Sequence, residues 1–305
     1  MTDGAPLGEF VEWRHPAGVI RAHYHERGQG DYYVVLVQTG GAGSNAYMSW
    51  FLNMDAFAAD GYHVVAPDMI GFGLSEIVDQ PGKRIDTSSF LAGFVDALGI
   101  TDAHWMGNSM GSNAIVRLAI DHPERVRSLI FTGGEPRVDD DRSRAISREL
   151  GKTARVDFLR EMFSKPEVSF EDMRRATAPF FYDATHPAVD LTTAMRLEAV
   201  RRPGVHQRER DAAFGQAARG RETFQADDLA RIRAPSYLVH GRDEENFYPP
   251  EYAQILTESA MRACLVIPEC SCTLIARCGH WPQIEKSETF NALALQFLNG
   301  VKGHR

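Results

Sequence analysis

Short runs of β-branched and aromatic residues alternate with longer runs whose apolar positions recur at helical spacing. The short runs are Tyr33-Val34-Val35-Leu36-Val37, Tyr62-His63-Val64-Val65-Ala66, Ala103-His104-Trp105-Met106 and Ser128-Leu129-Ile130-Phe131-Thr132. Each predicts a buried strand, because near-continuous apolar sequence suits a strand covered on both faces. Met48 to Asp60, Thr87 to Leu98 and Ser112 to His122 predict the intervening helices. Such alternation implies an α/β fold with a mostly parallel central sheet flanked by helices. Loops that carry chemistry gather at the strand ends of such a sheet.

The alternation stops at Pro136. From Arg137 to about Phe224 the sequence is charged and helix-compatible, with aromatics at Phe158, Phe163, Phe180, Phe181 and Tyr182. Strand character returns at Pro235-Ser236-Tyr237-Leu238-Val239-His240. We therefore expect a core in two parts, 1–136 and 225–305, interrupted by a helical lid over 137–224. The insertion rejoins the sheet without a Gly/Ser-rich linker, which favours a lid over a separate helical domain. Glu285 to Leu298 predicts a closing amphipathic helix, its apolar side carrying Phe290, Leu293, Leu295, Phe297 and Leu298.

Composition narrows the class. The 305 residues are 44% hydrophobic and 24% charged, with a formal net charge of −8. That charge, without a Lys/Arg run, argues against a nucleic-acid partner. Met1 to His15 has neither the basic start nor the apolar core of a signal peptide, so the expected location is cytoplasmic. No apolar stretch is long enough to cross a bilayer, so no membrane association is expected. All four cysteines lie between Cys264 and Cys278, spaced C-x5-C-x-C-x5-C. This lacks the paired C-x2-C knuckles of structural zinc sites, and free, at least partly buried thiols are expected.

The chemistry centres on Gly107-Asn108-Ser109-Met110-Gly111, between a strand and a helix. There a G-x-S-x-G sequence predicts a nucleophile elbow, with Ser109 strained and exposed above the sheet. The Met110 N–H, at the start of the helix, faces charge developing on an attacked carbonyl. The base should be a late histidine, and His280 in Cys278-Gly279-His280-Trp281-Pro282 precedes the closing helix. His186, His206 and His240 lack that setting. The acid should follow the strand ending at His240, where Asp243, Glu244 and Glu245 are consecutive. Glu244 is ranked first, Asp243 second, then Glu245 and Glu135, which follows the strand ending near Thr132. A second oxyanion donor is expected from Thr39-Gly40-Gly41-Ala42-Gly43, at Gly41 or Ala42.

With these residues in view, the chain resembles the α/β-hydrolase superfamily, and within it the meta-cleavage-product hydrolases, which cut carbon–carbon bonds in ring-opened aromatic catabolites. The similarity rests on the elbow with Asn108 before the serine, and on Cys278-Gly279-His280-Trp281 followed by Gln283 and Phe290-Asn291. It extends to Asp68-Met69-Ile70-Gly71-Phe72-Gly73-Leu74-Ser75, and to Phe180-Phe181-Tyr182-Asp183 and Arg196-Leu197-Glu198-Ala199-Val200 in the lid. The resemblance implies substrate contacts from Asn108, Arg196 and Trp281, a small-molecule substrate, no metal or organic cofactor, and a homo-oligomer. Two departures stand out: Thr39-Gly40 replaces the family's His-Gly, and a family asparagine falls near Ser49. The acid loop is one residue longer than the family's, and Glu269 to Ala276 read as additional residues before the histidine loop. The implied reaction is hydrolysis of a 2-hydroxy-6-oxo-2,4-dienoate. A carboxylesterase or lactonase built on the same residues is the alternative, and a non-catalytic binding protein the third reading.

Overall fold

The computed structural model describes residues 7–78, 85–134, 136–141, 144–145, 154–202, 204–205, 223–247 and 250–303. Glu135 and His206, named above, lie outside them. Nine strands form one sheet: β1 (Glu9–His15), β2 (Gly18–Arg27), β3 (Tyr32–Val37), β4 (Tyr62–Pro67), β5 (Glu76–Ile77), β6 (Ala103–Asn108), β7 (Val126–Thr132), β8 (Ser236–Gly241) and β9 (Cys270–Ile275). Their order is β1-β2-β4-β3-β6-β7-β8-β9, with β5 on β2. Strands β4 through β9 along this path pair in parallel, whereas β1, β2 and β5 join antiparallel.

The buried strands are those whose sequence is continuously apolar; Val34 to Val37 and Ala103 to Asn108 have no exposed face. Helices α1 (Ala46–Trp50), α2 (Met54–Ala59), α3 (Thr87–Ala97) and α4 (Met110–Asp121) follow in the first half. The helix expected over Met48 to Asp60 is thus two short ones, and Asn53, at the break, donates its side-chain amide to the Gln283 carbonyl and to Asn291 Oδ1. Between β7 and β8 the described residues form α5 (Ala154–Ser164), α6 (Phe170–Thr177), α7 (Ala188–Val200) and α8 (Ala226–Leu229), with only an isolated bridge from Val138 to Phe224. Helix α9 (Pro250–Val266) precedes β9, and α10 (Pro282–Glu285) and α11 (Ser287–Val301) close the chain. Glu269 to Ala276, read as an addition, contain β9, the last strand. Phe290, Ala294 and Leu298 of α11 are buried against the face of the sheet that holds Val34, Leu36, Met106 and Ile130.

No helix among the described residues is long and apolar enough to cross a membrane. Nor is any group of three or more His, Cys, Asp or Glu among them placed to hold a metal ion.

Two buried histidines give the fold a pH dependence. Burial, then the neighbouring His23, depresses His25 to about 4. Burial, then Arg127, does the same to His104, also to about 4. Both are neutral when folded, whereas an unfolded imidazole titrates near 6.5. The unfolded state therefore binds more protons between about pH 6.5 and 4, and stability falls as pH drops through that window, by up to roughly 3 kcal/mol per site. Urea unfolding at pH 7 and pH 5 should show the loss, and His104→Gln should reduce it. A slope unchanged by that substitution would remove His104 from the account.

Candidate active site

The parallel register brings five strand ends together. Val37 of β3 pairs with Gly107 of β6, Asn108 with Thr132 of β7, Thr132 with Val239 of β8, and Gly241 with Ile275 of β9. The loops leaving these ends carry Gly40 to Ala42, Ser109, Glu244 and His280.

Ser109 has φ 55° and ψ −109°, a left-handed backbone uncommon for a residue with a side chain. Its N–H donates to the Thr132 carbonyl at 2.8 Å, tying the turn to β7. The turn is possible only with small neighbours. A Cβ on Gly107 would lie 2.3 Å from the Gly111 backbone, and one on Gly111 2.3 Å from the Val37 carbonyl oxygen. Ser109 remains half-buried, so its hydroxyl is reachable. Met110 is the first residue of α4. The N–H groups of a helix's first turn have no intrahelical acceptor, and the helix dipole favours negative charge there.

His280 Nε2 lies 3.1 Å from Ser109 Oγ, and its Nδ1 lies 3.0 Å from Glu244 Oε2. His280 is 1% exposed and Glu244 3%. Aromatic rings hold the imidazole: Phe247 stacks on it at 4.2 Å, and Phe180 lies tilted at 5.7 Å. Of the other acids, Asp243 turns away, taking the guanidinium of Arg242 on both oxygens and the Arg277 N–H. Glu245 is exposed. The other oxygen of Glu244 lies 3.5 Å from Nε2 of His240, a fully buried histidine. His186 serves local structure, accepting from the Ala188 N–H and stacking on Phe181.

The loop after β3 sits against the elbow, where a Cβ on Gly40 would lie 3.1 Å from Met110 Cβ. Gly41 has φ 106°, a conformation that glycine adopts at little cost. Ser49, at the site of the family asparagine, is committed to structure: its Oγ accepts from the Thr39 N–H and donates to the Asn45 carbonyl.

Arg196 of α7 is 1% exposed. Its Nε donates to the Ala42 carbonyl at 2.8 Å and its Nη1 to Thr177 Oγ1 at 2.8 Å. The guanidinium lies over Phe180 and Trp281, 5.3 and 5.8 Å from the ring centroids. A Cβ on Gly41 would stand 3.8 Å from Nη2. The helix carrying Arg196 thus rests directly on the glycine-rich loop. Trp281 is fully buried, stacked on Phe180 at 4.0 Å, and its indole N–H has no acceptor among the described residues.

Asn108 is fully buried. Its amide nitrogen donates to the Thr132 carbonyl and Gln283 Oε1, both at 3.2 Å, and reaches the His280 carbonyl at 3.5 Å. It ties the elbow to the histidine loop.

Sequence reasoning missed Glu285. This buried carboxylate accepts the N–H groups of Gly279 at 2.7 Å, Asp183 at 2.9 Å and Tyr182 at 3.1 Å. It therefore fastens the β7–β8 insertion to the loop that carries His280. A lone glutamate in a C-terminal helix offers no sequence signal for such a role. A separate cleft of about 840 Å3, lined by Tyr33, Thr101, Asp102, Arg127 and Pro235, lies at the opposite ends of the parallel strands.

Comparison with known proteins agrees with this architecture. A family profile of the α/β-hydrolase fold matches residues 32–287. A 2-hydroxy-6-oxononadienedioate/2-hydroxy-6-oxononatrienedioate hydrolase of Burkholderia vietnamiensis is 31% identical over 283 residues, covering 92% of this chain and 91% of its own. A 2-hydroxy-6-oxo-6-phenylhexa-2,4-dienoate hydrolase of Comamonas testosteroni is 29% identical, covering 90% of both. Among solved structures, a meta-cleavage product hydrolase from Pseudomonas fluorescens IP01, a serine-to-alanine mutant complexed with acetates, superposes with a TM-score of 0.75 at 25% identity over 96% of this chain and 98% of its own. By strand order, elbow and sequence, this chain belongs to the α/β-hydrolase family, beside relatives named as meta-cleavage-product hydrolases.

Proposed function

We propose that the protein hydrolyses a carbon–carbon bond in a 2-hydroxy-6-oxo-2,4-dienoate, with Ser109 as nucleophile, His280 as base and Glu244 as the acid that orients it. The observation that carries this reading beyond generic ester hydrolysis is the buried Arg196 against the Gly40–Ala42 loop. Simple ester cleavage has no need of a desolvated cation at that point, whereas a dienoate carboxylate does. The names of the relatives point the same way.

In this mechanism the dienol first tautomerises to its keto form, creating an electron sink next to the scissile bond. His280 takes the Ser109 proton as the hydroxyl adds to the 6-oxo carbonyl. The Met110 N–H, with that of Gly41 or Ala42, binds the oxyanion, each donor contributing about 3 kcal/mol. Collapse breaks the carbon–carbon bond, its electron pair passing into the sink. The dienolate takes the proton held by His280 and leaves as a 2-hydroxypenta-2,4-dienoate, so that His280 is neutral again. Water, deprotonated by His280, then cleaves the acyl–Ser109 ester. Residues 137–224 act as the lid that closes over the substrate. Asn108 and Gln283 hold the histidine loop in register with the elbow, and the Trp281 indole N–H is the group we assign to a polar substrate atom.

The test compares kcat/KM for a yellow dienoate with that for p-nitrophenyl esters. Dienoate turnover should dominate. Ester turnover without loss of dienoate colour would favour a carboxylesterase, the reading supported by the commitment of Ser49 to Thr39. Arg196→Gln should lower kcat/KM for the dienoate by about a hundredfold, the cost of stranding a buried charge, and change ester turnover far less. Equal losses on both substrates would assign Arg196 to lid structure alone.

A further inference from the structure

We propose that Cys264 and Cys270 form a reversible disulfide, within a three-thiol cluster at the open edge of the sheet. Cys264 lies in the last turn of α9, and a short turn leads to β9, where Cys270 and Cys272 stand two residues apart. That spacing places both on one face of the strand. Cys270 Sγ donates to Cys264 Sγ at 3.0 Å, and Cys264 also hydrogen-bonds with Cys272. Closing from 3.0 Å to the bonded distance needs a movement of only about 1 Å.

Access and isolation fit the proposal. Cys272 is exposed, Cys264 and Cys270 are partly exposed, and Cys278 is buried beside the histidine loop. Strand β9 pairs only with β8, so its outer edge meets no other described strand. The cluster lies near the start of β9, while His280 follows its end.

The oxidant is a small disulfide such as glutathione disulfide. The Cys270 thiolate attacks it, forming a mixed disulfide and releasing one glutathione thiolate. Cys264 then loses its proton and attacks the Cys270 sulfur, expelling the second glutathione. Two protein thiols are oxidised, one small disulfide is reduced to two thiols, and a dithiol reverses the process. The hydrogen bond with Cys270, assisted by burial, pushes the Cys264 thiol up to about 12. Little thiolate is then present at neutral pH, and formation should take minutes to hours.

The test uses the full chain, reduced, freed of reductant and incubated with glutathione disulfide. Free thiols are alkylated, and the protein is cleaved after Glu269, which separates Cys264 from Cys270. Mass spectrometry of the unreduced digest should find Cys264 joined to Cys270, an alkyl group on Cys272, and loss of the link after dithiothreitol. Cys264→Ser, if folded by circular dichroism, should leave glutathione on Cys270. Three singly modified thiols, or a Cys264–Cys272 link in place of the expected one, would overturn the proposal. The wild-type map decides even if the variant does not fold.

Discussion

Replacing Ser109 with alanine is expected to lower kcat for the dienoate by about 10^5- to 10^6-fold, the scale on which serine hydrolases lose activity with their nucleophile. The change removes the oxygen that stands 3.1 Å from His280 Nε2. It should not disturb the fold. The elbow is held by the Ser109 N–H to Thr132 and by the Ser112 hydroxyl to the Gly107 and Thr132 carbonyls, none of which uses the Ser109 side chain. Stopped-flow absorbance should therefore show the dienoate binding without being cleaved. A variant retaining a few per cent of wild-type turnover would mean that another group attacks the carbonyl.

Glu244→Gln should cost about 10^3- to 10^4-fold in kcat, as loss of the acid does in other serine hydrolases. Glutamine can offer an N–H where the carboxylate only accepts. The imidazole would then turn its lone pair to Nδ1 and leave its proton on Nε2, the atom facing Ser109, so it could no longer take the serine proton. The substitution also removes the charge that stabilises the imidazolium. Asp243→Asn is the control. It weakens contacts with Arg242 and the Arg277 N–H, so its effect on rate should stay within about threefold, as for a partly exposed ion pair. If Asp243→Asn were the more damaging change, the acid would move by one residue.

The three adjacent acids show where sequence reasoning stops. Which of Asp243, Glu244 and Glu245 turns inward depends on the path of the loop after β8. That path is set by backbone bonds such as Asp243 N–H to the Cys278 carbonyl and Phe247 N–H to Glu244. Asn108 is a similar case. The resemblance implies a substrate contact for it, and the structure adds that its amide donates to Thr132 and Gln283, the latter 175 positions away in the chain. The first two strands escaped notice for another reason. In β2 polar residues such as His23, His25 and Glu26 interrupt the apolar run, and the ring of the buried His23 is partnered by Asp68, 45 positions away.

Local sterics and chain order were decided by the residues themselves. Glycines at 107 and 111 leave room for the Ser109 turn, and short, continuous, β-branched apolar runs suit covered strands. The alternation of strands and helices, its interruption at Pro136 and the late histidine are likewise legible along one dimension. The tertiary structure alone decided how the polar groups pair: Glu244 on His280, Glu285 on the insertion, Arg196 on the glycine-rich loop, Cys264 on Cys270. Hydrogen bonds and ion pairs act over a few ångströms, so partners far apart in sequence become definite only when the sheet sets their positions.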